Sequence, residues 1–325
     1  MHPIWKFGLT VVMACSALIA HPSSAQSICS GSTVRFLVPF PASSATTDTL
    51  ARVLASRLAT MWSKNVIVDN KPGAGGVVAT QMVATSKPDG CTIGLVYGSI
   101  ASNPSLMKPL PYDTLNDLAM VSQLVDVPIG LIALPALPVN TVAELIAYAK
   151  KQPQGLAYGS PGVGTTSHLA GALLGSMTGA VLIHVPYKGT AAAQLDLMAG
   201  RISGVFTAIS SVVGPIKAGK IKLIAITGGR RLSAFPEVPS IGETIPGYAM
   251  SSYFGVMASG SMPRPAVARL SQDIARALAS PEVKASLDTM DLIAVGSTPE
   301  AFEKLVREDM QTIAKLVKAA GIEAQ

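Results

Sequence analysis

The chain has 325 residues, enough for two domains of roughly 100–200 residues each. Charged residues make up 14% and apolar residues 49%, which excludes intrinsic disorder, a state that needs low hydrophobicity and high charge. The net charge of +6 is spread thinly, with Lys150-Lys151 and Arg230-Arg231 as its doublets; that excludes the concentrated basic footprint of nucleic-acid binding and leaves a mild preference for anionic small molecules.

Residues 1–25 read as an export signal. Lys6 supplies the positive charge, Phe7 to Ala20 the apolar stretch, and Ser23-Ser24-Ala25 the small residues for cleavage before Gln26. The apolar stretch is shorter than the ~20 residues of a bilayer span. A lipoprotein cut before Cys15 is the rival reading, which Met13 fits poorly. The expected compartment is the periplasm. The apolar stretch Val125 to Val139 is broken by Pro128, Pro135 and Pro138, so it cannot be a membrane helix.

Strand and helix patterns then alternate. Val34–Val38 predicts a strand. Asp48–Met61 predicts a helix with Leu50, Val53, Leu54, Leu58 and Met61 on one face. Val66–Val68, a helix over Val77–Ser86 and a strand over Thr92–Val96 complete a βαβαβ set. After a proline-rich passage (Pro104 to Pro111), Ile129–Leu134 starts a second set. Thr141 and Glu144 read as a capping box opening the helix Val142–Lys151. Leu156–Tyr158, the helix Thr165–Met177, Val181–Val185, the helix Ala191–Ala199, Val205–Phe206 and Lys222–Ile226 follow. The tail is helical: Pro265–Ala279, a short helix from Ser280-Pro281, and a long one from Thr298-Pro299 to Gly321. The expected architecture is α/β and two-lobed, each lobe a mostly parallel sheet flanked by helices. Lobe one is placed at 26–128 plus 249–325 and lobe two at 129–248. Open α/β sheets bind ligands at the carboxyl ends of their strands, so the strand–helix loops of both lobes should face one cleft.

Catalytic patterns nearly match and then fail. Gly214 to Ile221 has Ile221 where a P-loop needs Ser or Thr, and it lies between a helix and a strand, the reverse of P-loop order; it reads as a helix-ending turn. Gly73-Ala74-Gly75-Gly76 lacks the third glycine of a dinucleotide fingerprint and reads as a strand-to-helix turn. Ser105-Leu106-Met107-Lys108 matches S-x-x-K without its companion motifs. His168 and His184, the histidines left after export, read as packed, hydrogen-bonded residues, and no triad is proposed by the pattern. No metal-ligand spacing joins them to Cys29 or Cys91. Those two cysteines form either a disulfide, which an oxidising compartment permits, or a buried free pair.

Two loops carry more information. One runs from Pro39 to Asp48 after the first strand, the other from Gly159 to Ser167 after Leu156–Tyr158. Both are rich in small and hydroxyl residues, nearly free of charge, and end at a helix N-terminus, where free N–H groups and the helix dipole favour an anion. The bland reading is ordinary N-capping; two equivalent loops in two lobes favour binding. Micromolar affinity needs about 8 kcal/mol, and a hydrogen bond to a charged group contributes about 1.5–3 kcal/mol. About four or five such bonds therefore suffice with no acid, base or nucleophile, even after the entropy of association is subtracted.

Several segments in order complete the pattern: Val38-Pro39-Phe40 with Asp48 and Ala51-Arg52; Val68 to Gly76; Lys87-Pro88-Asp89-Gly90; Tyr158 to Gly164 with His168-Leu169; His184 to Gly189; Ile216 to Lys220; and Phe235 to Ser240. Together they resemble the periplasmic solute-binding receptors of tripartite tricarboxylate transporters, the Bug family, over about residues 30 to 320. The resemblance implies a two-lobed fold that closes on a small di-, tri- or aromatic carboxylate, with membrane permease subunits as partners, a monomeric receptor, no cofactor and no catalytic residue. It implies contacts from Phe40, Ala42, Ser43, Ser44, Thr46, Thr47 and Asp48 in lobe one, Asp48 fixing the loop rather than touching the anion. In lobe two it implies Ser160, Gly164, Thr165, Thr166, Tyr187 and Phe206. Three departures stand out: Ser43-Ser44 where the family has a glycine pair, Thr207 where many members have Asp, and Cys91 where tyrosine is common. A receptor of the same fold serving a sensor kinase, and a secreted hydrolase, are the alternatives.

Overall fold

The computed structural model describes residues 28–42, 45–187, 189–319, 321–322 and 324. The expected export signal, Cys15, Ser43 and Ser44 lie outside the described residues. The first set of elements is β1 (Thr33–Val38), α1 (Ala45–Trp62), β2 (Asn65–Asn70), α2 (Val77–Ala84), β3 (Thr92–Tyr97), α3 (Ser99–Leu106) and β4 (Leu118–Val127). The second is β5 (Ile129–Ala133), α4 (Val142–Lys150), β6 (Leu156–Ser160), α5 (Thr166–Thr178), β7 (Leu182–Pro186), α6 (Thr190–Met198), β8 (Gly204–Ala208), α7 (Val213–Lys217) and β9 (Lys222–Ile226). After α8 (Ile241–Thr244) the chain returns through β10 (Ser252–Ser259), α9 (Arg264–Leu278), α10 (Pro281–Thr289), β11 (Ile293–Ala294) and α11 (Pro299–Ala319). Among the described residues no helix is long and apolar enough to cross a membrane.

The strands form two sheets, one per lobe, ordered β11-β4-β10-β3-β1-β2 and β7-β6-β8-β5-β9. The sheets are mixed, which corrects the mostly parallel expectation. β1 pairs in parallel with β2 and β3, and β6 with β7 and β8; β10 runs antiparallel to β3 and β4, and β5 antiparallel to β8 and β9. A parallel connection needs a crossover of a dozen or more residues. Pro128 alone joins β4 to β5, so the chain passes straight into the other lobe and enters its sheet reversed. β9 returns through residues 227–251 to β10, reversed in the first sheet.

The two orders are equivalent: β2-β1-β3-β10-β4 superposes in sequence of roles on β7-β6-β8-β5-β9. The loops after β1 and β6 thus occupy the same place in their sheets. Thr227, fully buried, ties the two crossings together: its N–H donates to the Ile129 carbonyl (3.0 Å), its hydroxyl donates to the Met250 carbonyl (2.6 Å), and its own carbonyl accepts from Met250 N–H (2.9 Å).

Alternation along the strands divides the cores. Val34, Phe36 and Val38 of β1 and Phe254, Val256 and Ala258 of β10 pack under α1, α9 and α10. Leu37, Tyr253 and Met257 face the opposite layer with Val77, Val83, Ile100, Phe302 and Val306. In the second lobe Leu131, Phe206 and Ile224 share a core with Leu145 and Leu169, while Ile132 and Val205 pack with Leu197 and Val212. The long terminal helix α11 serves both lobes, with Phe302 and Val306 in the first and Ile313 and Leu316 in the second.

Local chemistry explains several boundaries. Thr141 caps α4 by accepting from Glu144 N–H (3.1 Å), while the Glu144 carboxylate takes the N–H of Asn140 (2.6 Å), one residue earlier than a capping box would place it. Gly219 has φ 66° and ends α7's turn, in place of any P-loop. Pro104 lies inside α3 and has no N–H for the Ile100 carbonyl; the Thr114 hydroxyl donates there instead (3.4 Å). Cys29 and Cys91 are disulfide-bonded, with Cα atoms 4.8 Å apart.

Candidate functional site

The first cradle begins where β1 ends. Phe40 stacks at a tilt on Tyr97, ring centres 4.7 Å apart, and presents an edge to Phe254 at 6.4 Å. Asn70 at the end of β2 donates from Nδ2 to the Phe40 carbonyl (3.0 Å) and to Asp48 Oδ1 (2.9 Å). Asp48 is buried and also accepts from Arg52 Nε (2.6 Å) and Nη2 (3.2 Å). The Arg52 hydrogen bond, followed by that from Asn70, outweighs burial and holds the Asp48 carboxyl below the usual carboxylate range. Asp48 Oδ1, through Asn70, thus ties the helix start to the strand end, while Oδ2 is held by Arg52 within α1. Ala42 is exposed, Thr46 half-buried and Thr47 buried.

Asp48→Asn removes the charge that Arg52 and Asn70 hold. We expect it to lower the melting temperature by a few degrees, since a charged hydrogen bond is worth about 1.5–3 kcal/mol. A thermal melt beside the wild type checks this; an unchanged midpoint would show that the bonds to Arg52 and Asn70 do not stabilise the loop.

The second cradle is the turn from Ser160 to Thr166, which uses glycine where the backbone requires it, with φ 154° at Gly162 and 74° at Gly164. Thr165 caps α5: its hydroxyl accepts from His168 N–H (3.3 Å) and donates to the Gly162 carbonyl (2.7 Å).

The lobes meet at this turn. Ser102 of α3 donates its hydroxyl to the Gly164 carbonyl (3.1 Å). A Cβ at Gly98 would lie 2.7 Å from Thr166 Oγ1, so the glycine permits the close approach. Between them lies a cavity of about 330 Å³, lined on one side by Ala74, Gly75, Tyr97, Ser99, Asn103, Leu106 and Met107 and on the other by Pro161, Gly162, Val163, Gly164 and Thr165. None of these side chains is charged. Burial raises the Tyr97 hydroxyl pKa, so it stays a neutral group.

The structure brings some expected residues to this cavity and sets others apart. Gly164 and Thr165 line it, and Thr166 stands beside it against Gly98. Phe40 lies one ring away, behind Tyr97. Ser160 is fully buried beneath the turn, and Phe206 is buried with its edge on Tyr158, ring centres 5.5 Å apart. The Tyr187 hydroxyl donates to Asp196 (2.8 Å). Sequence reasoning missed Gly75, Tyr97, Ser99 and Asn103. The signal is in the sequence: Gly98-Ser99 follows the third strand as the loops after Val34–Val38 and Leu156–Tyr158 follow theirs, and Gly73 to Gly76 reads as a turn.

Away from the cavity lining, Ser160 Oγ lies 2.6 Å from His184 Nε2; the serine is fully buried, and burial and the neighbouring His168 both act on His184. Among the described residues no group of three or more His, Cys, Asp or Glu side chains could hold a metal ion.

The family described as the tripartite tricarboxylate transporter family receptor matches residues 50–322. The chain belongs to that family. A relative of this chain, protein BugT of Bordetella pertussis, is 33% identical over 313 residues, 95% of either chain. Its fold is similar to the periplasmic binding protein BugD, with TM-score 0.74 and 32% identity over 90% of this chain and 99% of that one. It is likewise similar to R. palustris Rpa4515 with adipate, with TM-score 0.76 and 32% identity over 90% and 98% of the two chains.

Proposed function

We propose that this chain is an exported periplasmic receptor that holds a small carboxylate between its lobes and passes it, chemically unchanged, to a membrane permease. The observation that carries the reading is the charge-free cavity where the β6–α5 turn of one lobe faces the β2–α2 and β3–α3 turns of the other. Neutral amides and a helix N-terminus suit an anion without the tight, slow release of a buried ion pair. The adipate in a similar structure supports the same ligand class. In this reading lobe one comprises 26–128 plus 249–325 and lobe two 129–248, with α11 strapping both. The turn of Gly164, Thr165 and Thr166 takes one end of the ligand and Gly75, Tyr97, Ser99 and Asn103 the other; Phe40, Ala42, Thr46 and Thr47 belong to the neighbouring β1–α1 loop, with Phe40 behind Tyr97. Asp48, Ser160, Tyr187 and Phe206 support these loops from behind.

A thermal-shift series with succinate, malate, adipate, citrate and benzoate tests this, with neutral 1,6-hexanediol and a diamine as controls. At a hundredfold excess over Kd the acid that fits adds about 2.7 kcal/mol, a rise of roughly 5–10 °C for a chain of this size. Stabilisation by the diol or the diamine and by none of the acids would overturn the reading.

A further inference from the structure

The second cradle is not an open row of amides; part of it is already bonded within the protein. Gly162 N–H donates to Ser160 Oγ (3.2 Å), Gly164 N–H donates to His168 Nδ1 (3.1 Å) and Thr165 N–H donates to the Gly162 carbonyl (3.4 Å). His168 N–H is taken by the Thr165 cap. Among the described residues, the N–H groups of Val163, Thr166 and Ser167 have no protein acceptor.

The two acceptors that shape the turn are themselves braced. His168 stacks on His184 of β7, ring centres 3.8 Å apart and planes 21° from parallel. His184 Nε2 meets Ser160 Oγ at 2.6 Å. Tyr158 lies against His184 at 5.2 Å, donates its hydroxyl to the His168 carbonyl (2.9 Å), and rests on the edge of Phe206. Phe206, Tyr158, His184 and His168 therefore form one continuous wall under the turn. Because His168 Nδ1 accepts the Gly164 amide, its ring proton sits on Nε2.

We propose that His168 and His184 are positioning residues of the carboxylate site: they fix Gly164 and Ser160, and so leave the amides of Val163, Thr166 and Ser167 as the donor set for one carboxylate end. The inference rests on the carboxylate reading above and adds which groups act and what holds them. Three donors and no acceptor match a carboxylate and reject a primary amide, whose NH2 would face N–H groups. Adipate should therefore bind more tightly than its diamide, adipamide, which has no carboxylate for these donors, by tenfold or more.

The test is calorimetric titration of wild type and variants with succinate, malate, adipate and adipamide. His168→Ala frees the Gly164 amide and is expected to weaken the best-bound diacid tenfold or more and to narrow its preference over adipamide. His168→Asn places Oδ1 where Nδ1 stood, and should restore affinity to within about threefold and restore the preference. If His168→Ala does not fold, the pair His184→Gln and His184→Phe decides the matter. Gln reaches Ser160 and should bind normally, whereas Phe keeps only the stacking and should not. Equal losses in the Asn and Ala variants, or in Gln and Phe, would show that the rings merely fill space and overturn the proposal. Wild type that binds adipate and adipamide equally would overturn the donor assignment. Wild type that binds none of the acids overturns the function itself, and this inference with it.

Discussion

Cys91→Ser should unfold about 4 kcal/mol more easily than the wild type, because the bridge removes loop-closure entropy from the unfolded chain. The cysteines are 62 residues apart; they enclose β1, α1, β2 and α2. Cys29 precedes β1 and Cys91 precedes β3, two paired parallel strands, and the Cys91 carbonyl accepts from Arg35 N–H (2.8 Å). The bridge thus pins the amino ends of these strands, away from the carboxyl ends that carry the first cradle. Stability and binding should separate. The urea midpoint falls, the melting temperature drops by roughly 10 °C, and the carboxylate Kd changes less than twofold. Reduction of the wild type should reproduce the loss. Equal urea midpoints for wild type and variant would show that the bridge does not constrain the unfolded chain.

The second large effect is loss of stability in acid through the histidine stack. Burial lowers the His168 pKa to about 4, and burial followed by the charge of His168 lowers His184 to about 3. Both folded values lie below the ordinary 6.5. As pH falls below that value the unfolded chain takes up two protons that the folded chain refuses, so stability declines and levels off near the folded values. A proton wholly refused by the folded chain costs about 1.4 kcal/mol per pH unit, so His168, which is buried, contributes about 3 kcal/mol across its window and His184, half-buried and screened by solvent, less. Asp309 acts in the opposite sense. Burial raises its carboxyl to about 7, so its protonation favours the folded state as pH falls. The measurement is therefore a difference: urea midpoints from pH 7 to 4 for wild type against His168→Asn/His184→Gln. The double variant should show a flatter decline; parallel profiles would show that the stack titrates equally in both states.

Much of the fold was legible because local chemistry dictated it. Leu50, Leu54 and Leu58 mark the buried stripe of α1, and all three are fully buried. The apolar run Lys222–Ile226 marks β9 to its bounds. What escaped was set by tertiary contacts. In β10 both faces are buried, so Tyr253 to Ser259 shows no alternation to distinguish a strand from a core helix. In β4 the polar residues Ser122, Gln123 and Asp126 break the apolar pattern; Ser122 Oγ donates to the Ser297 carbonyl (2.8 Å) and Gln123 Nε2 to Asp126 (2.5 Å). Helix α3 was hidden by Pro104, whose missing bond is replaced by a hydroxyl ten residues further along the chain from Pro104.

Hydrophobic period, glycine placement and helix-start residues are local properties, so the family, the two α/β sets and the two small-residue loops are legible in chain order alone. Tertiary structure makes both sheets mixed, since β5 and β10 are each supplied by a chain arriving from the other lobe. It alone placed Tyr97, Ser99 and Asn103 opposite the second cradle. It alone drew His168 and His184 together from a helix and a strand. Those placements depend on which strands pair and how closely two lobes approach, and residues far apart in the chain become neighbours only once the sheets have formed.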